Sequence, residues 1–399
     1  MAIFERITRI PQRLKRHREF SAFQSCIHKK TFDDHQSIIE WAKLKANKSE
    51  LQSSNNQIVQ RGIVLRESVL SEFRDKYQAK KDLRFLIHVP PANVSPAGYS
   101  IFSNLADTLV YMGIQCERLE WDDAIHECLN SFAPTVLLTS DSTEYLRQLD
   151  WDTINQYKKI HQLRIGLTAS IGAYGNTPLS GRLHWAKKRE IDFYYSFRTS
   201  EYLHSRKDYQ PFFEEGYQIH NIEFSANPLL YYPVEGIDRD LPFVFLGSSN
   251  SDKQNRYREW FTQIFKEKPG FINGPGWKGM SSKIPMNFNR FIYARARVGI
   301  NLHLEDQITW ANELNERTYT LAACGVPQLI DNPKLLSDRF SEGAMFQANT
   351  PKEYLDLFHY ILESPDEAQG RAAVALEETY AKHTTFHRVE SFINQMTGN

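Results

Sequence analysis

Phe243-Val244-Phe245-Leu246-Gly247-Ser248-Ser249-Asn250 is the stretch on which the fold turns. Four consecutive apolar residues are too few for a helix and suit a strand buried on both faces. The glycine after them permits a close turn, and helical patterning resumes over Asn255–Lys266. A strand that runs into a glycine turn and then a helix is the opening unit of a doubly wound α/β domain. Downstream the alternation continues through Gly270–Asn273, a helix near Met286–Arg295, Val298–Leu302, a helix over Glu316–Ala323 and Gln328–Ile330. Helical patterns at Lys352–Leu362, Asp366–Tyr380 and Phe386–Gln395 close the chain.

Upstream the same rhythm appears first at Arg84–Val89. It continues with a helix over Ile101–Met112, strands at Ile114–Leu119, Thr135–Thr139 and Leu163–Thr168, and further candidates at Asp192–Phe197 and Gly216–His220. Pro233–Asp240 is polar and rich in turn residues, so it reads as a linker between two series, with Asp238-Arg239-Asp240 as solvated charge. The expected fold class is α/β, with two Rossmann-like domains facing across a cleft and a helical extension before them. The expected bounds are 1–80 for the extension, 81–235 for the first domain and 236–380 for the second. Residues 381–399 are expected to form a helix packing back towards the first domain.

The 399 residues carry 48 Lys and Arg against 48 Asp and Glu, a formal net charge of zero. A protein that coats nucleic acid needs a cationic excess, so no nucleic-acid partner is expected. Residues 1–80 nevertheless hold 16 basic and 9 acidic residues. Neutrality is a cancellation between a basic extension and an acidic body. Residues 1–20 combine apolar helical spacing with arginines and lysines, which suits either packing on the protein itself or peripheral contact with an anionic membrane. A cytoplasmic location is expected, including the inner face of a membrane. The four cysteines are scattered, and Cys116, His126 and Cys128 lack a fourth ligand, so no metal and no cofactor is expected. Asp150-Trp151-Asp152 reads as a helix N-cap rather than a metal-binding pair.

In doubly wound domains ligands sit at the carboxyl ends of the strands, and three turns there draw attention. Gly247 and Ser248 follow one strand, and Asn273-Gly274-Pro275-Gly276-Trp277 follows another. Either could bring backbone close to a ligand, with Trp277 beside a base or sugar, or be a plain turn with Trp277 as a core plug. Asn301 and His303 end a third strand. After it comes Asn312-Glu313-Leu314-Asn315-Glu316-Arg317-Thr318-Tyr319-Thr320-Leu321-Ala322-Ala323-Cys324-Gly325-Val326-Pro327, a polar loop opening a helix. A helix N-terminus and Arg317 together suit a diphosphate. In the first domain, His88 ends a strand and reads either as a proton acceptor or as a structural histidine. Gly172, Tyr174 and Gly175 are candidates for an acceptor wall.

Arg317-Thr318-Tyr319, Ala323-Cys324-Gly325, Arg339-Phe340-Ser341-Glu342-Gly343, Pro351-Lys352-Glu353 and His383-Thr384-Thr385-Phe386-His387-Arg388 carry a resemblance. Together with the Gly247 turn followed by Arg256, and with the Gly-x-Gly-Trp turn, they resemble the donor half of GT-B glycosyltransferases. The nearest branch is the spore-maturation (CgeB-like) branch of the group 1 enzymes. The resemblance covers about 240–392. It implies a nucleotide-diphosphate sugar donor in the second domain and a glycan, lipid-linked or protein acceptor in the first. Glu313 and Arg317, with His88 added from its own position at a strand end, are the expected catalytic set. Gly247, Ser248, Arg256, Gly274, Gly276, Trp277, Asn301, His303, Asn312, Asn315, Glu316, Thr318 and Thr320 are the implied donor set. The chain departs from the family at one position. The carboxylate that typically holds the donor ribose falls on Thr320, which leaves Glu316 or Glu313 to take part of its role. A silent binding protein on the same fold and a nucleotide-sugar epimerase are the alternatives.

Overall fold

The computed structural model describes residues 15, 18–46, 56–171, 177–249 and 251–398. Most of the basic arm 1–20, the Gly172–Gly175 candidates and Asn250 lie outside the described residues. Among the described residues there are eleven strands. They are β1 Arg84–Val89, β2 Gln115–Glu120, β3 Val136–Thr139, β4 Arg164–Thr168, β5 Phe193–Ser196, β6 Ile219–Asn221, β7 Leu241–Leu246, β8 Phe271–Asn273, β9 Ala296–Asn301, β10 Gln328–Asp331 and β11 Phe346–Ala348. They form a six-stranded sheet of order β2-β1-β3-β4-β5-β6 and a five-stranded sheet of order β11-β10-β9-β7-β8. Every pairing is parallel.

The expected α/β class therefore holds, with two parallel sheets and helical crossovers. In each sheet the strand order reverses beside the first strand, between β1 and β3 and between β7 and β9. Helices leaving those neighbours go to opposite faces, and the carboxyl ends there form the ligand crevice of such sheets. Strands β3 and β5 are buried along their whole length, as apolar runs in a covered parallel sheet must be.

The chain divides into two compact units. The N-terminal unit comprises Glu67–Asn227, Ala311–Glu313 and Lys382–Asn399. Its core runs from Leu86 and Leu137 through Ile165 and Tyr194 to Phe212. The last helix, Thr385–Thr397, belongs to this unit and buries Phe386, Val389, Phe392 and Ile393. The C-terminal unit comprises residues up to Arg66, Pro228–Trp310 and Leu314–Ala381. Phe20, Phe23 and Ile27 share its core with Phe245, Phe261, Trp277 and Tyr354.

Two local readings change. β11 and the short helix Glu305–Thr309 were not expected. Arg239 is not solvated charge. Its guanidinium donates to Ala296 O and Gly325 O, both at 2.6 Å, and desolvation holds its pKa down to about 10. Asp150 caps the helix Trp151–Ile160 by accepting from the amides of Asp152 and Thr153.

Asp141, just past β3, makes the main buried ion pair of the N-terminal unit. Its carboxylate pairs with Arg182, and both side chains are under one-tenth exposed. Thr168 Oγ1 and Ser170 Oγ donate to the same carboxylate at 2.7 and 2.8 Å. Removing one partner would strand a buried charge. Arg182→Met is expected to cost about 3–5 kcal/mol in urea unfolding, and Asp141→Asn in the Arg182→Met background to recover part of it.

Candidate functional site

In the C-terminal unit the carboxyl ends of β7, β9 and β10 carry a connected set of polar side chains. Asn301, the last residue of β9, is wholly buried. Its Nδ2 donates to Thr318 Oγ1 and to Gln328 Oε1, both at 2.9 Å. Its Oδ1 accepts from Asn315 Nδ2 at 2.9 Å and from Arg317 Nη1 at 3.1 Å. Asn315 also caps the helix Glu316–Ala323 by accepting from Thr318 N. The helix stops at Gly325, which lies in the left-handed region at φ 64°.

Arg317 reaches from the first turn of that helix across the end of β7. Its Nε donates to Leu246 O at 2.8 Å, and the guanidinium lies 4.3 Å over the Phe245 ring. Gly247 is required by this approach, since a Cβ there would sit 2.0 Å from Arg317 Nη2. The loop after β8 packs on the same turn. Gly274, at φ 147°, could not carry a Cβ without meeting Gly247 O at 2.4 Å. Gly276 likewise gives way to Ser249 Oγ. Arg317 makes no ion pair with a carboxylate among the described residues, so its charge is oriented but not cancelled.

The other basic residue of the edge is used differently. Arg256 pairs with Glu305 at 2.9 Å and with Asp331 at 2.8 Å, so it is not a free cation for a ligand. Asp331, at the end of β10, also accepts from the His303 amide at 2.8 Å and meets His303 Nδ1 at 2.7 Å. Burial opposes its charge, but His303 and then Arg256 hold its pKa below the usual carboxylate range. His303 Nε2 faces Thr318 Oγ1 at 3.2 Å. Asp331, Gln328 and Tyr354 complete this network and were not anticipated. The one sequence signal was a carboxylate closing an apolar strand.

Several expected residues are placed elsewhere. Trp277 is not a wall for a base or sugar. It is 1% exposed, packed among Phe20, Phe245, Tyr257 and Phe265, with Nε1 donating to Gly247 O at 2.8 Å. Asn312 and Glu313 belong to the N-terminal unit. Asn312 O accepts from Thr199 N, and Glu313 lies 3.8 Å from Arg198. Thr320 is buried and donates to Arg317 O at 3.3 Å. Glu316 and Thr320 lie four residues apart in this helix and so share one of its faces. Cys116 and Cys128 are free thiols, and the described residues contain no cluster of three or more His, Cys, Asp or Glu suited to a metal.

His88 is 1% exposed at the end of β1, beside Trp121 and Tyr145. Nδ1 meets Thr139 Oγ1 at 2.8 Å, and Nε2 is buried without a partner. An acceptor does not reach this ring in the observed conformation. Burial lowers its pKa to about 4, and that of His220 likewise to about 4. The unfolded chain takes up these protons near pH 6.5 and the folded chain does not. Stability therefore falls as pH drops from about 6.5 to about 4, by about 3 kcal/mol for His88. In His88→Gln the slope of unfolding free energy against pH should shrink by about one proton over that window; an unchanged slope would refute the assignment.

Residues 253–394 match the family described as glycosyl transferase-like. No curated protein matches the sequence. Among solved structures the chain is similar to the phage T4 β-glucosyltransferase in complex with UDP-glucose, at 12% identity and TM-score 0.55, covering 79% of this chain and 99% of that one. It is similar to a glycosyltransferase from Rickettsia africae, at 12% identity and TM-score 0.52, with coverage of 79% and 99%. Sucrose-phosphate synthase from Thermosynechococcus elongatus follows at 12% and 0.50, with coverage of 79% and 98%. No helix among the described residues is long and apolar enough to cross a membrane. The chain thus has the GT-B glycosyltransferase fold, and its segment 253–394, which contains Arg256, Arg317 and Thr320, carries the glycosyl transferase-like match.

Proposed function

We propose that this protein transfers a sugar from a nucleotide-diphosphate sugar, bound by the C-terminal unit, to an acceptor hydroxyl. The observation that carries this reading is Arg317. A guanidinium aimed by neutral oxygens, at a helix N-terminus and a strand switch point, is suited to a diphosphate. The UDP-glucose in the T4 enzyme's structure and the glycosyl transferase-like match support the donor class. In the transfer, the acceptor oxygen bonds to the anomeric carbon. The bond from that carbon to the diphosphate oxygen breaks, the diphosphate leaves with the electron pair, and the proton of the acceptor hydroxyl passes to the departing diphosphate. Arg317 and the helix dipole stabilise the charge that grows there. This reading assigns no cofactor beyond the donor. The acceptor is a glycan, a lipid-linked sugar or a protein, and contact of residues 1–20 with an anionic membrane would bring the enzyme to a lipid-linked one.

The competing reading is a silent binding protein on the same fold, and buried Thr320 is the observation behind it. We assign the ribose contact to Glu316 instead, one helical turn before Thr320.

Two outcomes check the donor site. Arg317→Ala should weaken UDP binding roughly a hundredfold by calorimetry, with Arg317→Lys between it and the native chain. If UDP, GDP, TDP and CMP sugars all leave the melting temperature unchanged, the donor reading is wrong. Glu316→Ala should weaken UDP roughly ten- to a hundredfold, since charge-assisted hydrogen bonds are lost. It should leave 2′,3′-dideoxy-UDP binding as it was. Equal losses for both ligands would remove Glu316 from the ribose.

A further inference from the structure

Residues 18–46 precede the segment that carries the family match, and the sequence reads them as part of a basic helical extension, with packing on the protein itself as one of two readings for residues 1–20. Their side chains converge on one loop of the C-terminal unit. Gln24 is 8% exposed, and its carboxamide is used at both ends. Nε2 donates to Gly276 O at 3.0 Å, and Oε1 accepts from Lys278 N at 2.8 Å. Phe20 and Phe23 pack on Trp277 at ring distances of 5.7 and 6.1 Å. His35 Nε2 meets Asn273 Oδ1 at 3.2 Å, and its ring stacks on Phe271 at 5.0 Å. Asn273 in turn closes the loop by accepting from Ser282 N and donating to Ser282 O.

The loop Gly274–Ser282 is thus held at its start and end through Asn273 and in its middle through Gln24. This is the loop whose Gly274 and Gly276 abut the Gly247 turn, where Arg317 crosses. Apolar packing of Phe20 and Phe23 holds the Trp277 ring but, being non-directional, does not itself set the register of the backbone beside it. The two hydrogen bonds of one carboxamide fix its register, because donor and acceptor must both be met.

We infer that residues 20–35 are a brace for the donor loop, and that Gln24 is a positioning residue that sets nucleotide affinity without touching the ligand. The inference deepens the donor-site reading and rests on it. Loss of Gln24 should loosen Gly274–Met280 and, through the Ser249 N to Pro275 O bond at 2.8 Å, the turn after β7. It should leave β9 and β10 alone, since their ends are tied by Asn301 and Asp331.

The test compares the full chain with Gln24→Ala and with Gln24→Glu, which keeps the acceptor for Lys278 N and loses the donor for Gly276 O. Hydrogen exchange should quicken roughly tenfold at the amides of Lys278 and Ser249 in Gln24→Ala, and less in Gln24→Glu, with His303 unchanged. UDP binding should weaken roughly three- to tenfold in the same order. With a turned-over donor, KM should rise while kcat holds. Unchanged exchange at 274–280 overturns the brace whatever the nucleotide does. Exchange that quickens equally at His303 overturns it too, since the effect is then only global stability. Quickened local exchange with UDP affinity intact, where Arg317→Ala abolishes binding, overturns the positioning role and leaves the donor site standing. If the native chain binds no nucleotide, the donor site and the positioning role fail together, while exchange still judges the contact.

Discussion

The carboxamide of Asn301 sets the carboxyl edge of the C-terminal unit. It has two donor hydrogens and two acceptor positions, and all are used, by Thr318, Gln328, Asn315 and Arg317. These partners come from β10, from the cap of the helix Glu316–Ala323 and from its first turn. One saturated side chain therefore fixes that helix against β9 and β10. Tyr354 reinforces it, since its hydroxyl accepts from Asn301 N and shares its one hydrogen between Leu329 O at 3.0 Å and Asn301 O at 3.2 Å. A buried polar group at this density carries a high penalty if any partner is lost. The edge is accordingly rigid before any ligand arrives, and the entropy of ordering Arg317 has been met by folding.

The parts of the fold that were legible in the sequence are those whose signals are local. Strands covered on both faces must be apolar, so Arg84–Val89 and Phe243–Leu246 announce themselves. The helix Glu316–Ala323 is legible to the residue because Asn315 caps it, Gly325 stops it and Pro327 blocks its return. β11 is only Phe346-Gln347-Ala348 and has no run to read. The residues that the sequence misjudged are those decided at long range. An aromatic after a Gly-Pro-Gly turn looks the same whether it meets a ligand or a core. Trp277 meets a core because Phe20 and Phe23, some 250 residues earlier, pack against it. Arg239 reads as linker charge until Ala296 O and Gly325 O take it. Arg256 reads as a donor-site residue by resemblance until Glu305 and Asp331 pair with it. No spacing rule encodes such partners.

The contrast between the two arginines of the edge bears most directly on chemistry. Arg256 is held by two carboxylates, and one of them, Asp331, also orients His303, so that cluster is close to electrically closed. Among the described residues Arg317 is held by a carbonyl oxygen, an amide oxygen and the face of a phenyl ring, with the Tyr257 hydroxyl nearby, and by no carboxylate. Neutral acceptors orient a guanidinium without cancelling its charge, and a ring face adds attraction without a counter-ion. The N-terminal end of the helix Glu316–Ala323, where its peptide dipoles point their positive ends, adds partial positive charge in the same place. A protein that needed Arg317 for stability alone would be served as well by a carboxylate beside it, as Arg182 is by Asp141. Leaving this cation aimed and uncompensated at a strand switch point costs stability unless an anion spends time there. The anion that fits a planar, rigid, five-donor group is one with several oxygens, which is the chemistry of a diphosphate.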